Sequence, residues 1–226
     1  MHHKEQNRIN ALIIELENRI RHLFQSESSG HDLHHLHRVR NLALSIQEKE
    51  GGDRLIVAIA AFLHDVHRII EKETGEFCSP KDSLPNIRKI LSGTGLSDGE
   101  TDRICHCIEF HEEYDFSEAG KTVQDIETLV LQDADNLDAI GAIGIGRTFT
   151  FGGAHGVTMW DPEKPFDREH FDESEKDQST IHHFHSKLFR LKDNMNTETG
   201  KRLAEHRHEI MESFVREFLA EWEGNQ

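Results

Sequence analysis

Residues 58–70 read AIAAFLHDVHRII, the end of an apolar run that starts at Leu55. A helix built from Leu55 to Leu63 is apolar all round, the pattern of a helix at a domain centre. It ends in His64-Asp65, with His67 and Arg68 just behind. A buried carboxylate is costly unless it is hydrogen-bonded, paired or bound to a metal, so the stretch asks what compensates Asp65. The His-Asp pair alone carries little weight. With 18 His and 16 Asp in the chain, about one such dipeptide is expected by chance, and there are two, His31-Asp32 and His64-Asp65.

Outward from this run the periodicity is helical. Residues 7–25 space Ile9, Leu12, Ile13, Leu16, Ile20 and Leu23 by threes and fours. After the break ESSGHD, residues 35–51 place Leu36, Val39, Leu42, Ala43 and Ile46 on one face and stop at Gly51-Gly52. Asp53 is a ready N-cap for the apolar helix. The segment CSPKDSLP reads as a loop and NIRKILSG as a short helix. DGETDRICHCIEFHEEY and DIETLVLQDADNLDAIGAIGIGR follow, the second as one or two helices. Residues 152–180, rich in Gly, Pro and charge, read as a long loop or lid, and helix resumes at IHHFHSKLFRLKDNM. From Thr197, Leu203, Ile210, Met211, Phe214, Phe218 and Trp222 mark a last helix over 197–224. No repeat and no alternating strand stands out. The expectation is an all-α chain in which residues 1–226 form a single-domain helical bundle.

Composition narrows the function. The 226 residues carry 42 acidic and 26 basic side chains, a net charge of −16, which argues against a nucleic-acid polymer as partner. No apolar run reaches the roughly 18–20 residues of a membrane span, and MHHKEQNRIN lacks the apolar stretch of a secretory signal. Three unpatterned cysteines, Cys78, Cys105 and Cys107, fit a reducing compartment and offer no thiolate motif. The expected setting is cytoplasmic, without membrane contact.

Three apolar segments each carry ligand chemistry. His35 sits beside Leu36 and Val39, His64-Asp65 end the central run, and Asp133, Asp135 and Asp138 punctuate LVLQDADNLDAIGAIG. Two imidazoles with two carboxylates suit Mn, Fe, Zn or Ni with positions left open for water. Magnesium, which prefers all-oxygen shells, fits less well.

The order His35, then His64-Asp65, then Asp135 resembles the H…HD…D pattern of the HD-domain superfamily of metal-dependent phosphohydrolases. HDLHHLHRV, AAFLHDVHR and LQDADNLDAIGAIGIGR carry the resemblance, and RTFTFGG and HSKLFRLKDNMNTETGKRLAEHRHEIMESFVREFLAEWEG extend it to small stand-alone bacterial members. It implies a helical bundle around one divalent ion held by His35, His64, Asp65 and Asp135. Asp133 competes for the last place, but the family aspartate lies in an Ala-Asp-x-x context, here Ala134-Asp135. Asp133 and Asp135 stand about 200° apart on a helix, so one faces a given metal and the other does not. Asp138, three residues on, is read as support for a ligand or a helix contact. His31 and Asp32 are read as support or cap for the first ligand helix.

The implied reaction is hydrolysis of a phosphate ester or anhydride by water activated at the metal. The implied substrate is a phosphorylated small molecule, most readily a nucleotide. His111 matches a family histidine after the second ligand helix, with protonation of a leaving group or binding of a second metal as its possible roles. Two-metal members add histidines between the second and last motifs. Beyond the HDVHR stretch itself only His106 and His111 stand there, which favours one metal. Arg68, Arg147 and Lys187 are the cations placed to meet phosphate. Among His182, His183 and His185, consecutive placement predicts one packed and the others solvated. The alternative to a hydrolase is a non-catalytic module of the same fold that senses a nucleotide.

Overall fold

The computed structural model describes residues 2–25, 30–112, 123–164, 166 and 178–225. All regular structure among them is helical. The ten α-helices are α1 (His2–Ile20), α2 (Leu33–Glu50), α3 (Arg54–Leu63), α4 (Val66–Thr74), α5 (Pro80–Leu91), α6 (Asp98–Phe110), α7 (Ile126–Asp138), α8 (Gly141–Ala154), α9 (Thr180–Ser186) and α10 (Glu198–Trp222). Two 3₁₀ segments, Arg21–Phe24 and Leu188–Asn194, follow α1 and α9. No helix among the described residues is long and apolar enough to cross a membrane.

The helices fall into two compact units, one formed by the N-terminal helix and residues 31–135, the other by residues 136–226 with the short segment ending at Gly30. In the first unit α3 is central, packed against α1, α2 and α6. Leu55 to Leu63 are buried without exception, as their unbroken apolarity requires. Asp53 starts α3 by accepting from the backbone N–H of Leu55 and Ile56 at 3.0 and 3.3 Å. Its other carboxylate oxygen meets Arg103 of α6 at 3.0 Å, and its backbone N–H donates to Glu127 of α7. One cap thus ties the start of the central helix to two neighbours.

In the second unit α10 packs on α8 and the 3₁₀ segment after α9. Phe149 of α8 lies 5.8 and 5.9 Å, ring to ring, from Phe214 and Phe218 of α10. The DIETLVLQDADNLDAIGAIGIGR stretch breaks in two at Ala139-Ile140, where Gly141 takes φ +75°, a conformation open to glycine at no steric cost.

Two boundaries differ from the sequence expectation. CSPKDSLP is not a loop throughout, because α5 begins inside it at Pro80. Ser79 and Asp82 form a reciprocal cap there, and Pro80 occupies the first turn, where its missing N–H costs nothing. At the proposed lid, α8 runs on through Ala154 despite Gly152 and Gly153. Gly152 is buried against Thr180, and a Cβ on it would stand 2.5 Å from the Thr180 hydroxyl. Most of the remaining lid stretch, Pro165 and residues 167–177, lies outside the described residues.

Candidate metal centre

The chain leaves α3 at Leu63, turns through His64 and Asp65, and re-enters helix at Val66. The turn lets two consecutive side chains aim inward, which a continuous helix would place about 100° apart. His64 is fully buried, and its Nδ1–H donates to the Ala61 carbonyl at 2.9 Å, directing Nε2 away from its own helix. His35, also fully buried, sits on the first turn of α2, where Asp32 caps the helix by accepting from the His35 N–H at 2.8 Å. The two Nε2 atoms stand 3.2 Å apart. Asp65 Oδ2 lies 3.1 Å from His35 Nε2 and its Oδ1 3.6 Å from His64 Nε2. Asp135 of α7 places Oδ1 3.6 Å from both imidazole nitrogens.

These separations fit a common cation. Bonds of about 2.1 Å put neighbouring donors about 3.0 Å apart in an octahedron and about 3.4 Å apart in a tetrahedron. The donor set also suits a borderline divalent ion. Between Asp133 and Asp135, the carboxylate facing both imidazoles is that of Asp135.

In the electrostatics of the cluster, a proton on His64 offsets the two neighbouring carboxylates. Burial opposes a charged His64, but the Asp65 and Asp135 carboxylates outweigh it and hold its pKa up to about 9. Burial likewise opposes a charged Asp65, and the surrounding imidazoles, His64 and His31 foremost, hold it well below the usual carboxylate range. His31 Nδ1 lies 2.7 Å from Asp65 Oδ2 and so orients that carboxylate. This and the Asp32 cap are the roles the sequence assigns to the pair.

His111, at the end of α6, is buried rather than surface-lying. Its Nδ1–H donates to the Ile108 carbonyl at 2.7 Å, and its ring meets those of His64 and His67 at 5.1 and 5.5 Å. Burial and neighbouring His64 push its pKa down to about 4. Arg68 pairs with Glu112 and lies 3.8 Å from Asp65 Oδ1. His106 faces outward to Asp125 at 3.0 Å.

In the second unit, Arg147 is held by Asp138 at 3.1 Å and by the Gly30 carbonyl at 3.1 Å. Asp138 thus anchors a helix contact. Lys187 closes α9 as its C-cap, half-buried. His182 is packed while His183 and His185 are half-exposed.

Sequence reasoning assigned no role to His67 or to Glu112. His67 lies three residues after His64, hence on the same side of the turn, and its Nδ1–H donates to the His64 carbonyl at 3.1 Å. Its ring is buried. Its Nε2 points to Glu112, whose carboxylate stays ionised down to a pKa of about 2; burial opposes this, and His67, His111 and Arg68 outweigh it. The i+3 spacing was the available signal.

Comparison with known proteins agrees with this architecture. The family model described as the HD domain matches residues 32–140. The uncharacterised protein YpgQ of Bacillus subtilis is 39% identical over 198 residues, 88% of this chain and 87% of its own. The crystal structure of an HD-superfamily hydrolase from Bacillus thuringiensis superposes with a TM-score of 0.71 at 34% identity, covering 96% of this chain and 98% of that one. The structure of B. subtilis YpgQ in complex with ADP superposes at 0.65 and 38% identity, covering 89% and 94%. Likeness along nearly the whole chain, with the histidines and aspartates of the motif meeting at one point, makes this chain a member of the HD-domain superfamily, among its hydrolases.

Proposed function

We propose that this protein is a metal-dependent phosphohydrolase acting on a phosphate ester or anhydride of a nucleotide, as phosphatase or pyrophosphohydrolase. The observation that carries the reading is the convergence of His35 Nε2, His64 Nε2, Asp65 and Asp135 within 3.1–3.6 Å. These four residues would hold one divalent ion, with Mn, Fe, Ni or Zn preferred over Mg by the imidazoles. The cation supplies a Lewis acid for a phosphoryl oxygen and lowers the pKa of water.

The chain's own part is to fix the donors. The Ala61 carbonyl sets the His64 tautomer, and His31 holds the Asp65 carboxylate. His111 presents a bare Nε2 in a buried, neutral ring, which suits accepting a proton or a cation better than giving a proton to a leaving group. Arg68, beside Asp65 and partly exposed, is the cation best placed to meet phosphate. Arg147 and Lys187 are proposed as further phosphate contacts. Arg147 would have to share its guanidinium with Asp138.

The ADP complex of YpgQ supports a nucleotide as the ligand here. It equally favours a second reading, a module that binds a nucleotide without turning it over. A screen of nucleotides and generic phosphate esters with Mn²⁺, Co²⁺, Ni²⁺ and Zn²⁺, following both phosphate and pyrophosphate, separates the two. The hydrolase reading expects metal-dependent release that Asp65→Ala abolishes. Nucleotide binding without release under every metal would refute it in favour of the sensing module.

A further inference from the structure

The last turn of α7 is held by a residue that the sequence marks only as a cation for phosphate. Arg147 of α8 has two of its three guanidinium nitrogens engaged by protein oxygens: Nη1–H donates to Asp138 at 3.1 Å and Nε–H to the Gly30 carbonyl at 3.1 Å. Asp138 is buried to 1% exposure, where a carboxylate without compensation would be costly. The corner between α7 and α8 allows little play. Gly141 turns it at φ +75°, and a Cβ on Gly144 would stand 2.3 Å from the Ala139 carbonyl oxygen, so α8 lies directly against the corner. Gly30 takes φ +99°, and a Cβ on it would lie 3.5 Å from Arg147 Cγ, so the arginine stem runs along that segment.

Each oxygen that Arg147 holds lies close along the chain to a group at the metal centre. Asp138 follows Asp135 by three residues on α7, about 60° away around the helix and about 4.5 Å along it. Gly30 directly precedes His31, whose Nδ1 meets Asp65 Oδ2 at 2.7 Å. The aim of the Asp135 carboxylate depends on the roll of α7. At a radius of about 5–6 Å, a roll of about 10° moves it by about 1 Å, a large step against its separations of 3.6 Å from His35 and His64. We propose that Arg147 is a positioning residue of the metal centre. Through Asp138 it fixes the roll of α7 and with it Asp135, and through Gly30 it fixes the backbone from which His31 orients Asp65. This role rests on the reading of His35, His64, Asp65 and Asp135 as the metal ligands. It is exercised before any substrate arrives, which separates it from a phosphate contact. Lysine cannot replace the arginine here, because a single ammonium lacks the fixed fork that serves both oxygens.

Equilibrium dialysis of the chelator-stripped, tag-free protein against Mn²⁺ without substrate tests this, with the visible spectrum of the Co²⁺-loaded protein reporting coordination geometry. Wild type should take up the ion. Arg147→Gln should bind it about 10–100-fold more weakly, and Arg147→Lys, which keeps the charge a phosphate needs, about tenfold or more. Both should alter the Co²⁺ spectrum. In an Asp138→Ala background the loss caused by Arg147→Gln should shrink, since one of the two arms is already gone. Asp53→Ala, at the opposite end of α3 from His64, is the control for stability and should leave affinity and spectrum unchanged. Circular dichroism checks that each variant is folded, and Arg147→Lys decides alone where Arg147→Gln is not. Wild-type affinity and spectrum in Arg147→Lys and Arg147→Gln overturn the positioning role while the metal reading stands, and a raised KM as their sole defect assigns Arg147 to phosphate instead. Affinity that falls as far in Asp53→Ala as in Arg147→Lys also overturns it, as an effect of stability alone. A wild type that takes up no metal refutes the underlying reading, and the positioning role with it.

Discussion

Metal uptake at this centre should expel a proton from His64. In the metal-free protein, burial disfavours the imidazolium, but Asp65 and Asp135 outweigh it and raise the pKa from 6.5 to about 9. At pH 7 the ring lies about two units below that value, so all but about one molecule in a hundred is protonated. Nδ1 keeps its proton through the bond to the Ala61 carbonyl. The proton that leaves is the one on Nε2, the atom a cation must take. About one proton per ion should therefore appear at pH 7. Apparent affinity should rise about tenfold, or about 1.4 kcal/mol, per pH unit until pH approaches 9. The same raised pKa stabilises the metal-free fold below pH 6.5, and that contribution is lost as pH rises through 9. Calorimetric titration of Mn²⁺ or Zn²⁺ into stripped protein, repeated in buffers of different ionisation enthalpy, reads the proton count directly. Heats that do not vary with the buffer, or affinity unchanged between pH 6.5 and 8.5, would refute the reasoning.

Asp53→Ala removes the cap of α3 and the contact with Arg103; the cap is worth about 1 kcal/mol and the exposed pair less. The thermal midpoint should fall by about 2–4 °C per kcal/mol with metal content unchanged, and an unaltered melting curve would contradict the role of the cap. Gly141→Ala places a side chain at φ +75° with its Cβ 2.9 Å from Arg207 Cγ. A loss of about 2 kcal/mol in denaturant titration is expected, and a neutral substitution would show that the α7–α8 break relaxes freely. Glu100 is held down to about 2 by its bond to Arg8 and by the Ser97 cap, with burial opposing. Its contribution to stability is present above pH 4.5 and lost as pH falls toward 2, so Arg8→Ala should flatten acid unfolding in that window, and an identical acid profile would exclude the pair.

Much of this molecule was legible because the decisive signals are local. Nine successive apolar residues leave α3 no exposed face, and Asp53 before them marks its start by the ordinary logic of capping. The resemblance to the H…HD…D pattern named the four side chains that converge, on segments whose apolar periodicity already marked them as buried. The start of α5 was hidden because Pro and Ser signal loops and helix N-termini alike, and only the reciprocal bonding of Ser79 and Asp82 decides between them. The passage of α8 through Gly152 was hidden for a tertiary reason, the close approach of Thr180. His67 and Glu112 escaped because each sits next to a more conspicuous residue. The i+3 spacing hints at His67, but the meeting of both residues depends on the turn at His64-Asp65, which brings the ends of α3 and α6 together, a long-range fact.

The central claim is that His35, His64, Asp65 and Asp135 hold a divalent ion. Metal analysis of tag-free wild type and of Asp135→Ala, both verified as folded by circular dichroism, tests it most directly. The account predicts at least one stoichiometric divalent ion in wild type and loss of the tightly bound ion in Asp135→Ala. A folded wild type that retains no stoichiometric metal after exposure to Mn²⁺ or Zn²⁺, or an Asp135→Ala protein that retains as much as wild type, would contradict it.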